Sequence, residues 1–325
     1  MTPPEPIPHW PGALITLDEG HRVYVRSTPE ETDQPARREP ARREPAQREP
    51  ALFVHGLAGS SRNWTELIDL LRPRLACDAL DLPGFGDSPP RPDRRYSIAA
   101  LAQTVAALIE SREQKVHLIA SSLGGAVAVK VAAARPDLVR TLTLISPALP
   151  DPRPHLDQVH FAVLSLPGVG PRLLRKYDAL PPRNRVADVI TTCFSDPARF
   201  AAERFATEVA ELARRDTLDH ATAALIGTIR TLTADFFRKG RHTAWRDAAR
   251  ITAPTLIIYG SDDRVVDPRL AGRAAHAFAN SRIVVLPRTG HLAHMEHPEQ
   301  VAAEITIMLD ATAQRAREFP LAPAG

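Results

Sequence analysis

The sequence has few cysteines and no long apolar run, and each shortage excludes a class of protein. Only two cysteines, Cys77 and Cys193, occur among 325 residues. Their wide separation fits neither a disulfide framework nor metal-ligand spacing. No stretch approaches the roughly eighteen apolar residues of a transmembrane helix, and the N-terminus lacks the pattern of a signal peptide. We therefore expect a cytoplasmic protein with no integral membrane segment.

A strong excess of one charge is also missing. The chain has 41 Lys and Arg against 38 Asp and Glu, a net charge of +3. A five-residue repeat at 36–50, ARREP-ARREP-AQREP, holds five Arg and three Glu, so the rest of the chain carries only +1. Regular prolines and the absence of apolar residues predict that 28–50 is a disordered loop, or alternatively an electrostatic tether to an anionic surface. Nucleic acid is not an expected partner.

With 44% hydrophobic residues, the chain can bury a large core and still hold an insertion. Strand patterns alternate with helix patterns, which predicts an α/β fold with a mostly parallel sheet covered on both faces. Between 148 and 250 the strand patterns stop, and helical runs punctuated by prolines take their place. We predict an N-terminal extension over 1–12, a core formed by 13–147 and 251–325, and an all-helical insertion over 148–250.

A strand pattern meets a small-residue helix pattern at Ile119–Gly125, and the junction carries two serines. A sharp turn there would force one serine into a strained conformation with positive φ, so the residues two before and two after it must be small. Ser122 has Ala120 and Gly124 at these positions, whereas Ser121 would place Leu123 in the turn. Ser122 is therefore the candidate nucleophile. The Leu123 N–H, at a helix N-terminus, is a candidate donor to an oxyanion.

This turn resembles the nucleophile elbow of the α/β-hydrolase family. Four further segments match that family's patterns in the correct order, and the resemblance spans roughly residues 13 to 312. They are His55-Gly56 after a strand, the DLPGFGDS turn at 81–88, the acidic loop after Gly260, and GHLAHMEHPE at 290–299. The resemblance implies a twisted, mostly parallel sheet flanked by helices, with the insertion serving as a helical cap.

The resemblance also implies roles for individual residues. The acid stands three residues after Gly260, at Asp263, with Asp262 as its nearest competitor. His291 would be the general base, and the Leu57 N–H would be the second oxyanion donor beside that of Leu123. The order Ser122, Asp263, His291 is the chain order of this family.

Other residues near these motifs have more ordinary interpretations. Trp64 is expected to pack in the core, with a lesser possibility that it lines the substrate pocket together with Leu292. The three histidines His291, His294 and His297 and the nearby Glu296 also fit a metal site as an alternative, but the tail pattern makes His294 and His297 bystanders and Glu296 a brace for the loop. No metal and no cofactor is expected.

These patterns predict a serine hydrolase that cleaves a carboxylic ester of a small hydrophobic molecule through an acyl-enzyme. A carbon–carbon bond hydrolase, a thioesterase and a cofactor-free haloperoxidase-like enzyme are alternatives on the same fold, and a non-catalytic ligand-binding module is a further one. Serine at 122 argues against dehalogenases and epoxide hydrolases, which use aspartate. Leu292 departs from the tryptophan typical of carbon–carbon hydrolases. The sequence does not indicate an oligomeric state.

Overall fold

The computed structural model describes residues 7–17, 20–29, 48–151, 162–237 and 243–318. Eight strands form one sheet in the spatial order β1-β2-β4-β3-β5-β6-β7-β8. They are β1 (Gly12–Thr16), β2 (Arg22–Ser27), β3 (Glu49–Val54), β4 (Leu75–Leu80), β5 (Val116–Ser121), β6 (Val139–Ile145), β7 (Thr255–Gly260) and β8 (Ser281–Leu286). The β1–β2 and β2–β4 pairs are antiparallel, and every other pair is parallel. The predicted mostly parallel sheet is confirmed, and the antiparallel hairpin of β1 and β2 forms one edge of it.

Helices cover both faces of this sheet. Those of the core are α1 (Thr65–Leu71), α2 (Ile98–Glu110), α3 (Ser122–Ala134), α9 (Leu270–Ala277), α10 (Ala293–Glu296) and α11 (Pro298–Glu318). Between β6 and β7 the described residues form α4 (Val169–Asp178), α5 (Pro182–Cys193), α6 (Ala202–Arg215), α7 (Ala221–Phe237) and α8 (Thr243–Ala248). No strand interrupts α4 to α8 in the described part of this segment, and we call them the inserted helices. None of the helices in the described ranges is long and apolar enough to cross a bilayer.

Alternate side chains of the central strands pack into two separate hydrophobic cores, one on each face of the sheet. Leu52 and Val54 of β3 belong to the cluster that contains α2 and α3, whereas Ala51 and Phe53 belong to the cluster that contains α1 and α11. This alternation follows from the two-residue period of a strand. The helix after β3 therefore lies on one face of the sheet and the helix after β5 on the other. The loops after β3 and β5 meet at the point where the chain switches direction across the sheet, which is where open α/β sheets bind ligands.

The prediction for 28–50 was wrong at both ends of the loop. The Thr28 N–H donates to the Cys77 carbonyl at 3.0 Å, and Glu49 and Pro50 pair in parallel with Leu75 and Ala76 of β4. Strand β3 thus begins at Glu49, inside the predicted loop, because pairing with β4 outweighs the local effect of Pro50. Most of the repeat lies outside the described residues. The domain boundaries remain a prediction.

Gly124 illustrates how tightly α3 packs on the sheet. A Cβ atom added there would lie 2.4 Å from the Val54 carbonyl oxygen and 2.5 Å from that of His55, and neither backbone atom can move freely. We expect Gly124→Ala to lower the free energy of unfolding by about 3 kcal/mol through overpacking. Urea titration would measure this. Gly272→Ala is the matched control, because a Cβ at this position in α9 would meet no atom within 4 Å. It should stabilise the protein by about 1 kcal/mol through helix propensity, and equal destabilisation by both changes would contradict the argument.

Candidate active site

Ser122 lies at the sharp turn between β5 and α3. Its φ is 50°, in the left-handed region, as predicted from the small residues on either side. The strained turn raises the side chain at the carboxyl end of the sheet, and the first N–H groups of α3 follow it directly. The adjacent Ser121 has extended backbone, with φ −120°, and is 1% exposed. The turn therefore distinguishes Ser122 from its neighbour.

The loop after β3 passes directly over the turn. A Cβ added to Gly56 would lie 3.0 Å from the Ser122 Cβ and 3.6 Å from its Oγ, so the loop comes close to the hydroxyl at Gly56, and Leu57 is the next residue along it. The His55 ring holds this loop in place. Its Nε2 accepts the Leu82 N–H at 2.9 Å, and its Nδ1 then carries the proton that it donates to the Gly56 carbonyl at 2.7 Å. Burial lowers the pKa of His55 and keeps the ring neutral, which fits a brace rather than a proton carrier.

Asp263 and His291 are brought together because β7 and β8 are neighbouring parallel strands. The Asp263 Oδ2 and His291 Nδ1 atoms lie 2.9 Å apart, and both side chains are buried. The other oxygen of Asp263 accepts the Val265 and Val266 N–H groups at 2.8 Å each. Burial alone would raise the pKa of Asp263, but the charge and hydrogen bond of His291 and the backbone donor outweigh it and hold that pKa below its usual value. The carboxylate is thus ionised and fixes the imidazole with Nε2 free.

The competitor Asp262 and the nearby Asp267 have surroundings that differ from those of Asp263. Asp262 is exposed, and its oxygens accept hydrogen bonds from the Ser195 and Ser261 hydroxyls at 2.6 and 2.7 Å. Asp267 accepts the Arg269 N–H at 2.8 Å and so caps the turn before α9. The structure therefore pairs His291 with Asp263 and gives Asp262 and Asp267 local roles.

The segment after α5 is bonded to the loop that carries His291. The Leu292 N–H donates to the Cys193 carbonyl at 3.3 Å. Glu296 accepts the Gly290 N–H at 2.7 Å through one oxygen and the Asp196 N–H at 2.8 Å through the other. Glu296 thus braces the loop, as predicted, and also ties it to the inserted helices.

A second link joins α6 to the loop after β3, and sequence reasoning missed it. The Arg215 guanidinium donates to the Ala58 carbonyl at 2.8 Å, and Ala58 has a φ of 57° directly after Leu57. Glu211, buried on the same helix face, pairs with Arg62 at 3.2 Å and with Arg214 at 2.7 Å. Charges at 204, 208, 211 and 215 recur at helical spacing, and this was the available signal that a charged face of α6 meets the core.

Trp64 belongs to the core and not to a pocket. It is 0% exposed, and its ring packs against Phe53 at 5.4 Å and His294 at 4.3 Å between centroids. The expectation of core packing is confirmed, and the lesser expectation of a pocket role is not supported. Leu292 is only partly buried and packs with Met295 against the apolar cluster Val186, Ile190 and Phe194 of the inserted helices.

The remaining polar residues of the tail motif have structural partners. The His297 Nε2 lies 3.2 Å from the Arg288 carbonyl, and His294 is stacked on Trp64. In the described residues, no three His, Cys, Asp or Glu side chains are grouped so that they could hold a metal ion.

Burial of His294 makes the protein sensitive to acid. Burial, followed by the charge of His291, lowers the pKa of His294 from 6.5 to about 3. Between these values the unfolded chain binds a proton that the folded chain does not, so stability falls as the pH drops from 6.5 towards 3. This residue should cost about 1.4 kcal/mol per pH unit in that window. We expect His294→Leu to remove this contribution from the pH dependence of the free energy of unfolding, which urea titrations at several pH values would measure. An unaltered slope in His294→Leu would contradict the assignment.

A cavity of about 210 Å³ lies between α2, α3 and the inserted helices α7 and α8. Its lining is mainly apolar, with Ile98, Ala126 and Phe236 among the contributors, and Lys130 paired with Asp247 at 3.0 Å at its polar side. None of Ser122, Asp263 and His291 lines it. The cavity is therefore adjacent to the helix of the candidate nucleophile and separate from the Asp263–His291 pair.

Comparison with known proteins identifies the fold family of the chain. A family model described as the alpha/beta hydrolase fold matches residues 50–298. The chain is 28% identical over 265 residues to the dihydrolipoyllysine-residue acetyltransferase component of the acetoin cleaving system of Pseudomonas putida, covering 79% of this chain and 62% of that protein. The chain thus spans less than two thirds of that relative's length.

A hydrolytic relative and a solved structure extend the comparison. The monoacylglycerol lipase abhd6-A of Xenopus laevis is 26% identical over 272 residues, covering 79% of this chain and 74% of the lipase. The structure of 2-hydroxy-6-oxo-6-phenylhexa-2,4-dienoate hydrolase from Rhodococcus sp. strain RHA1 superposes with a TM-score of 0.69. The two chains are 17% identical, and the superposition covers 92% of this chain and 100% of that one. This similarity shows a shared fold.

Proposed function

Because this chain belongs to the α/β-hydrolase fold family and is a hydrolase, we propose that it is a serine esterase with the triad Ser122, His291 and Asp263. The observation that carries the proposal is the strained Ser122 turn at the same sheet edge as the buried His291–Asp263 pair, whose carboxylate leaves Nε2 as the free nitrogen of the ring.

The proposed reaction has two steps. The Ser122 Oγ attacks the ester carbonyl while its proton passes to the His291 Nε2, and the imidazolium is stabilised by Asp263. The tetrahedral oxyanion binds to the N–H groups of Leu57 and Leu123, each worth on the order of 3 kcal/mol of barrier. The ring then protonates the departing alcohol, and a water molecule deprotonated by the same ring releases the acid. The chemistry requires no residue beyond these five.

We infer that the inserted helices act as a cap and favour a hydrophobic substrate. Val186, Ile190 and Phe194 pack beside Leu292 and Met295, one residue after and four residues after His291. An acyl group next to the imidazole would therefore meet apolar side chains. The abhd6-A relative, named a monoacylglycerol lipase, supports an ester of this kind.

A fluorophosphonate probe tests the nucleophile, because it reacts with an activated serine. We expect labelling of one residue, Ser122, identified by peptide mass spectrometry. The absence of labelling in folded protein would contradict the proposal.

A series of p-nitrophenyl esters of increasing chain length, with matched thioesters, tests the substrate class. We expect kcat/KM to rise from the acetate to medium-length acyl groups. Faster turnover of thioesters at every length would favour the thioesterase alternative.

A further inference from the structure

The helix α4 exposes a continuous row of large apolar side chains. Val169, Leu173 and Tyr177 of α4 are each 36–43% exposed, and their spacing of four residues places them on one side of the helix. Leu166, before the N-cap Gly168, and Leu180, after the C-cap Ala179, flank the helix and are 49% and 41% exposed. We call these five residues the apolar stripe. In the described part of the chain the other large apolar residues with comparable exposure are mostly scattered singly, for example Leu70 on α1 and Ile307 on α11. Single exposed residues are ordinary, whereas a contiguous row indicates a contact surface.

The side of α4 next to the stripe is buried and explains why the stripe faces outward. Leu174 is 5% exposed, and Gly170 is also buried. A Cβ at Gly170 would clash with the Leu164 carbonyl oxygen, so the preceding segment lies directly against this face. The helix is therefore held by its inner side and cannot rotate the stripe inward without losing these contacts.

Basic residues accompany the stripe on the same helix. Arg172, Arg175 and Lys176 are exposed, and no ion pair joins any of them to another described residue. Arg172 and Lys176 stand one turn apart beside the row formed by Val169, Leu173 and Tyr177. The acids near Tyr177 are Asp178 and Asp188; Asp178 pairs with Arg185 at 3.3 Å. The first two turns of α4 are thus apolar along one row and cationic along the next.

We propose that α4 docks the protein onto an anionic lipid surface, with the apolar stripe among the acyl chains and Arg172, Arg175 and Lys176 at the head groups. An amphipathic helix with large apolar residues on one side and Lys and Arg beside them lies in the plane of a lipid interface. Juxtaposed cations select anionic lipids. A second protein copy would need a complementary acidic surface, which α4 itself does not offer.

Flotation with lipid vesicles tests the proposal on the full-length protein. Vesicles of phosphatidylcholine with phosphatidylglycerol should carry the protein upward at low salt, and vesicles of phosphatidylcholine alone should carry far less. We expect the double change Leu173→Ser and Tyr177→Ser to abolish flotation, and Arg172→Gln with Lys176→Gln to weaken it roughly tenfold or more on anionic vesicles. Turnover of a water-soluble ester reports that each variant is folded, and it does not depend on the lipid.

Matched controls separate this surface from general adhesion. Leu70→Ser removes a side chain of 47% exposure from α1, and Arg315→Gln with Arg317→Gln removes the same charge from α11. Both should float like the parent protein. Failure of the parent protein to float, or equal losses in variants and controls, would overturn the proposal. A dimer detected by sedimentation velocity and lost in the stripe variant would also overturn it, because a second copy would then cover the stripe.

Discussion

Replacing Ser122 by Ala is expected to lower kcat for a simple aryl ester by at least about 10⁴-fold, since the attacking oxygen is removed while the rest of the site remains. Stopped assays with p-nitrophenyl butyrate and an active-site titration would measure the loss. The circular dichroism spectrum and the urea midpoint should match those of the parent protein. Undiminished turnover would refute the triad.

Ser121→Ala is the matched control for this experiment. Ser121 is the adjacent residue, is 1% exposed, and its hydroxyl has no hydrogen-bond partner among the described residues. Its removal should leave kcat unchanged and the stability equal or slightly higher, because an unpartnered buried hydroxyl is costly. Comparable inactivation by both changes would indicate damage to the turn and not loss of a nucleophile.

Asp263→Asn is expected to lower kcat by about 10⁴-fold, because an amide can turn its NH₂ towards His291 and stabilise the wrong tautomer. KM should change little, since Asp263 is buried behind the imidazole and has no surface for substrate. Steady-state kinetics on the same ester would give both constants. A loss confined to KM would place Asp263 in substrate binding instead.

Asp262→Asn tests the competing acid one residue away. This exposed carboxylate holds only the Ser195 and Ser261 hydroxyls, so the variant should retain nearly full kcat and stability. If Asp262→Asn were the inactive variant and Asp263→Asn the active one, the acid of the triad would be misassigned.

The elbow could be predicted from the sequence because its requirements are local. A strand, a small residue on each side and a glycine-rich helix start specify the positive φ of Ser122. The acid was placed at Asp263 only through the family motif, with Asp262 as competitor, because the physical differences between the two, burial and the donors at Val265 and Val266, appear only in the fold. These features depend on how the loop after β7 folds, and the spacing of residues in the sequence does not reveal them.

Long-range contacts could not be predicted in the same way. The hydrogen bond from Arg215 to the Ala58 carbonyl depends on how α6 packs on the core. Core packing of Trp64 was predicted, but its stacking on His294, from the other end of the chain, was not. The start of β3 at Glu49 was not predicted either, because it results from pairing with β4, whereas the proline-containing repeat locally favours a loop. Tertiary packing determined each of these outcomes.

The inserted helices are hydrogen-bonded both to the loop after β3 and to the loop that carries His291. The Arg215 guanidinium donates to the Ala58 carbonyl, next to Leu57. The Cys193 carbonyl and the Asp196 N–H form hydrogen bonds with Leu292 and Glu296 in the loop of His291. Exchanging this segment for that of a relative would therefore change more than the choice of substrate. When such a segment is grafted, we expect kcat to change as well, unless the new segment keeps the contacts with Ala58, Leu292 and Glu296.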